Sequence, residues 1–440
     1  MSDAGPPTPG TPEPDPDPDV RRLAALLGIA PAELPAFAAG FAMFLLAAAG
    51  YFMLRPVREA MGIAGGVENL QWLFTATFVA TLAIVPLFGA IAGAAPRRRI
   101  LPWTYAVVAA SLLVFAAALT LSPENPWIAR AFYVWVSVFN LLVISVAWSV
   151  LADLMPSGQA SRLFASIAAG ISVGGLVGPL LGVALVGRVG IAGLLVIAAL
   201  LLLASAAVAG WLQRWRDAHP VEGAAADSRR APLGGNPLAG LGLLVRSRYL
   251  LGIAAFVMLL ASVTTFLYFE QARLVELHFP DRVDQVRVFG WIDITVQALA
   301  LLTQLFLTGR IVRRLGLVVL LTTVPIAMAA GFLWLAFAPT FAVFVAVMIA
   351  RRAGEYALAR PGREMLFTVV APAEKYKAKN VIDTAVYRGA DAVSAWVRTA
   401  IDAFATHPAA VMIAGAVLAA GWGGCGRWLA TKRDKAASSF

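Results

Sequence analysis

The stretch MIARRAGEYALARPGREMLF, residues 348–367, carries four arginines and two glutamates between Arg351 and Glu364, and its flanks are apolar. Whether it is a loop in water or a charged band inside a bilayer fixes both the helix count and the kind of cargo the chain can carry. The preceding helix is expected to end near Ala338–Pro339. A helix from 340 that stopped before Arg351 would hold eleven residues. At 1.5 Å each it would be ~16 Å long, about half of a hydrocarbon core of ~30 Å. The next apolar run, MLFTVV, is shorter still. A single span over 340–370 joins the two runs and places the charges at its middle, with a break expected at Pro361-Gly362.

The rest of the chain agrees with a membrane reading. Of 440 residues, 60% are hydrophobic and 14% charged, with a mean hydropathy of +0.79. So few charges cannot cover a soluble protein of this size, and runs of about 20 apolar residues recur along the sequence. The single Cys425 excludes internal disulfides, and His219, His278 and His407 are too scattered for a metal cluster. No Gly-x-x-x-x-Gly-Lys-Ser/Thr loop is present, so nucleotide hydrolysis is not expected. Neither an enzyme activity nor a cofactor is expected. Residues 1–34, acidic and proline-rich, read as a disordered cytoplasmic tail rather than a cleaved signal.

Apolar windows give twelve helices, over 35–55, 69–93, 100–120, 127–153, 163–187, 189–212, 249–270, 286–308, 316–338, 340–370, 380–404 and 408–430. The longest polar interruption separates six from six. The expected organisation is an N-terminal half over 35–212, a cytoplasmic linker over 213–248, a C-terminal half over 249–430 and a cytoplasmic tail over 431–440. With both termini inside, the inner connections hold 22 Lys and Arg and the outer ones 8. That asymmetry predicts cytoplasmic termini, and it accounts for the net charge of +10 without nucleic acid.

Features recur at nearly one offset. Gly89-x-x-x-Gly93-x-x-Pro96 with Arg97, Arg98 and Arg99 mirrors Gly309-x-x-x-Arg313-Arg314-x-Gly316, 220 residues on. Tyr51, Phe52 and Glu59 mirror Tyr268, Phe269 and Glu276 at 217, and Pro156 mirrors Pro372 at 216. A duplicated six-helix unit follows. At offset 216 the four arginines fall on Trp135, Val136, Ile144 and Ala147 of the fourth apolar helix, which again puts them inside the membrane. On these motifs the chain resembles the major facilitator superfamily, which implies an all-α polytopic fold of twelve transmembrane helices in two six-helix halves. The resemblance implies gating loops at Gly89, Arg97 and Arg98 and at Gly309 and Arg313, although Gly93 stands where the family signature has Asp. Gly174, Gly175, Gly178, Pro179 and Gly182 look like the glycine–proline motif of the family's antiporters. Close helix packing explains the same residues equally well.

Charge at membrane depth costs at least ~2.5–3.5 kcal/mol per residue on insertion scales, so it usually marks a transport path. Arg351 with Glu355, and Arg360 with Glu364, have i,i+4 pairing distance. Arg352 and Arg363 need partners elsewhere. Helix 11 offers Asp383, Tyr387, Asp391, Ser394 and Arg398, with Arg388 beside them, and helix 8 offers Asp293, Gln297 and Gln304. The set forms either an anion-binding cavity or a structural ion-pair network. Arginine suits a cavity because guanidinium keeps its charge and grips carboxylate or phosphate oxygens with paired donors. Glu355, Asp383 and Asp391 would hold those arginines or carry protons, and Tyr356 and Tyr387 would stack on a planar ring or simply pack. Arg55, Arg58 and Glu59 fall past the first apolar run, at an interface or a cavity mouth.

YFMLRPVREAMG, RRAGEYALARPGREMLFTVV and EKYKAKNVIDTAVYRGAD resemble bacterial relatives of the ATP/ADP translocase family. That resemblance implies nucleotide exchange and assigns Arg55 and Arg58 to a charged helix-1 segment. The function expected is secondary transport of anionic organic solutes, such as nucleotides, across a cytoplasmic membrane by alternating access. The expected partners are a small anionic substrate and lipid, without nucleic acid. The rivals are a proton-coupled exporter of drugs or lipophilic solutes, and a non-transporting scaffold or sensor.

Overall fold

The computed structural model describes residues 29–94, 97–155, 157–219, 241–405, 407 and 409–437, with the isolated residues 18 and 22. Among the described residues every regular element is helical. The first half comprises α1 (Leu34–Ala64), α2 (Leu70–Ala94), α3 (Arg97–Leu121), α4 (Pro126–Leu154) and a run, Ser157–Ala218, that divides at Gly190 into α5 and α6. A short helix, Leu241–Arg246, precedes the second half. There α7 is Arg248–His278, and α8 begins as Arg282–Thr303 and continues through the π turn Gln304–Thr308. The next run, Gly309–Phe337, divides at Gly316, and its latter part is α9. Three segments, Phe341–Gly354, Glu355–Ala359 and Arg360–Leu366, make up α10. Pro372–Val381, Ile382–Val386 and Tyr387–Phe404 make up α11, and Ala409–Ala437 is α12.

The two divided runs have a physical reason to fold back. Sixty-two residues of straight helix would measure ~93 Å, three times the hydrocarbon core. Packing against α1 shows the reversal directly. On α5, Cβ atoms added at Gly170, Gly174 and Gly178 would lie 2.5, 2.6 and 2.5 Å from the carbonyl oxygens of Phe41, Leu45 and Ala49, so both numberings ascend together. On α6 the order inverts: Ala198 lies by Gly50, and Ser205 donates to the Met43 carbonyl at 2.8 Å. Gly190 and Gly316 make these turns at φ 67° and 76°, where a side chain is strained.

Twelve spans result. Eight helices among the described residues are long and apolar enough to cross a membrane, and two of those, Arg162–Ala218 and Arg282–Phe337, are the double spans. The charged α10 and α11 fall outside that set. Helix starts carry local signals: Asn125 accepts from Trp127 N–H at the head of α4, Ser247 from Leu250 in α7, and Asp281 from Val283 and Asp284 in α8. Thr340 caps α10 in the same way, fixing its start just after Pro339.

Two helices are longer than their apolar runs. The first was expected to stop near residue 55 and the seventh near 270, yet α1 reaches Ala64 and α7 reaches His278. In each the charges pair within the helix, Arg58 with Glu59 and Arg273 with Glu270, so the helix continues past them; the α1 pair is enclosed, whereas Arg273 and the end of α7 are exposed. The linker is shorter than expected at both edges, since α6 continues to Ala218 and helix resumes at Leu241; residues 220–240 lie outside the described residues, as does most of the N-terminal tail. Pro96 and Pro156, used in the repeat, also lie outside them.

Each half has its own apolar core. One gathers Leu54, Phe132, Phe139, Ile167 and Leu195, and the other Phe256, Leu320, Phe332, Phe344 and Trp422. Twelve crossings put both chain ends on one side, called here the terminal side. At the opposite, far side, Phe269 and Val275 of α7, Val286 and Phe289 of α8 and Ala395 of α11 join the first core, welding the halves together there. Trp72 of α2 meets Trp396 of α11 edge-on at 4.8 Å, and Arg282 reaches Glu124 at 2.9 Å.

The α5 glycines therefore set the spacing of α1. Gly174→Leu drives a side chain into the Leu45 carbonyl and should destabilise the protein by about 1–3 kcal/mol, the usual cost of overpacking. Gly210→Leu, with nothing within 4 Å, should leave thermal unfolding unchanged. Equal Tm values for the two variants would contradict this packing.

Candidate functional site

Between the halves lies a cavity of ≈ 590 Å³. Its walls come from α1, α2, α4 and α5 on one side and α7, α10 and α11 on the other. Tyr133, Phe74 and Tyr268 stand toward the far side, where Phe74 and Tyr133 meet Tyr268 at 5.3 and 6.4 Å. Toward the terminal side the wall extends to Ser145, Arg363, Asp383 and Thr384.

Every arginine singled out as substrate-binding lines this space: Arg55, Arg58, Arg351, Arg352, Arg360, Arg363 and Arg388. So do Tyr356 and Tyr387. Of the six carboxylates singled out, Glu59, Glu355, Asp383 and Asp391 line it, whereas Asp293 and Glu364 do not. Seven guanidinium groups and four carboxylates line the walls; with Asp293, which holds Arg352 from behind, the positive excess is two.

Each buried charge has a counterweight, which is what allows it to sit at this depth. Arg351 pairs with Glu355 at 2.9 Å and donates to Thr264 at 2.9 Å. Arg352 meets Asp293 of α8 at 2.5 Å, and Arg363 meets Asp383 of α11 at 3.2 Å. Arg388 lies 3.6 Å from Asp391, which also accepts from Thr265 at 3.2 Å. In the first half, Arg58 pairs with Glu59, lies over the Tyr133 ring at 5.3 Å and reaches Ser137 at 3.4 Å. Arg55 crosses between the halves, donating to the Tyr356 hydroxyl at 3.2 Å.

Two expectations need correction and one alternative is resolved. The Arg360–Glu364 pair does not form: Glu364 takes Lys379 at 2.5 Å, and Arg360 turns over the Tyr356 ring at 5.5 Å. Of the two places expected for Arg55, Arg58 and Glu59, an interface or a cavity mouth, the structure takes the cavity: they lie within α1 against it, with Glu59 buried. And α10 is not broken at Pro361-Gly362. It widens into a π turn over Glu355–Ala359, with Arg360 N–H bonded to the Glu355 carbonyl. Pro361 has no N–H for the Ala357 carbonyl, and the wide turn strips the Tyr356 carbonyl as well. Side chains of α8 replace both donors: Gln304 reaches the Tyr356 oxygen at 2.9 Å and Thr308 the Ala357 oxygen at 2.8 Å. Satisfying those carbonyls from a neighbour keeps the helix continuous where no water is assured.

The gating-loop residues lie away from this cavity. Gly89 is near the end of α2, and Gly309 and Arg313 lie in the last turns of α8. Arg97 begins α3, and Arg98 pairs with Asp217 at the end of α6, within the first half. The α5 glycines serve packing, with Gly175 giving way to Gln297 of α8.

Charge alone did not point to several wall residues: Tyr51, Tyr133, Ser137, Asn140, Thr264, Tyr268 and Gln271. Their signal was polar spacing. Tyr133, Ser137 and Asn140 stand at i, i+4 and i+7 on α4, one face of a helix otherwise read as uniformly apolar. Tyr51 and Tyr268, matched by the repeat, face the cavity from opposite halves.

The profile described as Major Facilitator Superfamily matches residues 35–378. The fold is similar to that of a bacterial homologue of the iron transporter ferroportin in its inward-facing state, with TM-score 0.60 and 15% identity, covering 89% of this chain and 98% of that one. It is also similar to the human organic anion transporter MFSD10 (TETRAN), with TM-score 0.57, 16% identity and coverages of 90% and 98%. A single-residue variant of the nucleoside transporter NupG gives 0.57, 14%, 90% and 99%. At these identities the similarity is one of fold. No curated protein matches the chain.

The borrowed donors of α8 give a direct test. Thr308→Val or Gln304→Leu strands a carbonyl at membrane depth, a loss of about 1–3 kcal/mol, and should lower the Tm. Thr323→Val removes a hydroxyl that only bonds back to the Val319 carbonyl of its own helix, so the Tm should hold. Unchanged melting of both α8 variants would show that the π turn does not depend on them.

Proposed function

The chain belongs to the Major Facilitator Superfamily, a family of multi-pass membrane transporters, and from that premise we propose that its cargo is an organic anion. The single observation that carries this reading is the wall of the cavity, with its seven arginines and four carboxylates. A substrate that brings negative charge balances that excess, whereas a neutral or cationic one leaves it standing. Arg360 has its guanidinium over a tyrosine ring rather than on a carboxylate, so it is the group freest to meet the cargo. The tyrosines beside it add flat faces for a ring system. Phosphorylated solutes such as nucleotides combine both features, and the sequence resemblance to ATP/ADP translocase relatives favours their exchange.

In this reading the protein sits in the cytoplasmic membrane with both termini inside, closed on its outer side and open to the cytoplasm. The two halves rock about the central site, and the far-side contacts open as terminal-side contacts form. The glycine motif that favoured a proton-coupled exporter is accounted for by α1–α5 packing. Asp391, buried and held by Thr265, is the residue through which proton coupling would act, so an imposed pH gradient separates the two readings.

Purified protein in vesicles preloaded with ADP, with phosphate or with nothing should take up labelled ATP at least about tenfold faster when ADP is inside, equivalent to ~1.4 kcal/mol. Uptake that ignores the preload rules out exchange, and absence of uptake for every anion tried rules out the anion reading. ADP should raise the Tm of the parent and of Arg98→Ala. In Arg360→Ala and Arg363→Ala that stabilisation should be lost, as expected when a charge-assisted bond of about 1.5–3 kcal/mol is removed.

A further inference from the structure

One carboxylate of the charge network stands behind the cavity wall rather than in it. Asp293 of α8 is 3% exposed. Its Oδ1 is 2.5 Å from Arg352 Nη2, within the second half. Its Oδ2 is 3.9 Å from Arg55 Nε, in the first half. The two contacts are unequal, one close and one barely within ion-pair range. Asp293 Oδ2 and Arg352 Nε and Nη2 have no hydrogen-bond partner of good geometry, so this buried cluster is electrostatically paired but incompletely coordinated. Both arginines line the cavity, so a solute entering there meets them before it meets the aspartate.

We propose that Asp293 is a tethered competitor for Arg55: in the empty carrier it bridges Arg352 and Arg55 across the two halves, and an anionic group of the substrate takes Arg55 away from it. The proposal rests on the organic-anion reading of the cavity and adds the subsite. Displacement is cheap on one side only. Asp293 keeps Arg352 at 2.5 Å when Arg55 leaves, so no buried charge is left bare. Arg55 exchanges a carboxylate 3.9 Å away for one delivered to its open face, while its bond to the Tyr356 hydroxyl steers the guanidinium toward the cavity. With the substrate in place the Arg55–Asp293 tie between α1 and α8 is gone, and the far side separates more readily. Without substrate the tie persists, so the empty carrier stays closed there. An exchanger needs that behaviour, because movement of the empty carrier would dissipate a gradient.

The test reads conformation rather than transport. Spin labels are placed at Leu121→Cys and Leu277→Cys, exposed positions at the far ends of α3 and α7, in a Cys425→Ser background. The empty parent should show one short distance, with any longer one below about 10%, as for a minor state. In Arg55→Gln, which leaves the Asp293–Arg352 pair intact, the longer distance should rise at least about threefold without any substrate. Asp293→Asn should do the same, and ADP should raise the longer distance in the parent but not in either variant. If Arg55→Gln stays as closed as the parent, the tie does not hold the halves and the proposal fails, whatever the carrier transports. If both variants open while the parent ignores ADP and phosphate, the tie stands and the anion reading falls.

Discussion

A guanidinium group keeps its proton at any ordinary pH, and the bilayer interior offers it no water. Those two facts constrain the second half of this protein more than any apolar contact does. Four arginines ride on α10 and two on α11, Arg388 and Arg398, and each must find a carboxylate, a hydroxyl or an aromatic face before the helix can stay at depth. Arg352 draws in α8 through Asp293, and Arg363 draws in α11 through Asp383. The helices that surround the cavity are thus held by the same groups that give it its charge. Seven arginines and four carboxylates line the open space, and Asp293 behind the wall holds one of those arginines.

Backbone chemistry adapts to that load. Charged side chains, a proline and a π turn fall together on α10, and the carbonyls they free are met by Gln304 and Thr308 of α8, itself wound as a π turn at that level. In the first half the corresponding adaptation is smallness. Glycines of α5 bring α1 to backbone contact, and Gly190 reverses the chain without a loop. The halves share a plan but divide the ions: the first supplies Ser137 and Asn140 with charge only on α1, the second supplies most of the charged groups, and both supply tyrosines.

The sequence showed much of the site because the argument there was one of length. Neither apolar piece flanking the charged band could cross a membrane alone, so Arg351 to Arg363 had to lie inside it, and that fixed α10. The end of α1 was misjudged for the mirror-image reason. Arg58 and Glu59 look like a water-facing boundary when counted as separate charges, and only their mutual pairing beside Ser137 and Tyr133 lets the helix run on to Ala64. The Arg360–Glu364 pair was allowed by spacing, but Lys379 from α11 competes for the same glutamate.

Length, apolar periodicity and the near-constant offset between halves were enough to determine the twelve spans, the two-half plan and the charged band of α10, because the bilayer imposes one thickness and one solvent on every span. Apart from Arg351 with Glu355, which helical spacing already paired, the choice of partner for these ions came from the tertiary structure. So did the placing of Asp293 behind the wall, the face of α4 that meets the cavity and the side on which the halves close. These depend on which helices become neighbours, and contact between residues hundreds of positions apart leaves no periodic trace in a single chain.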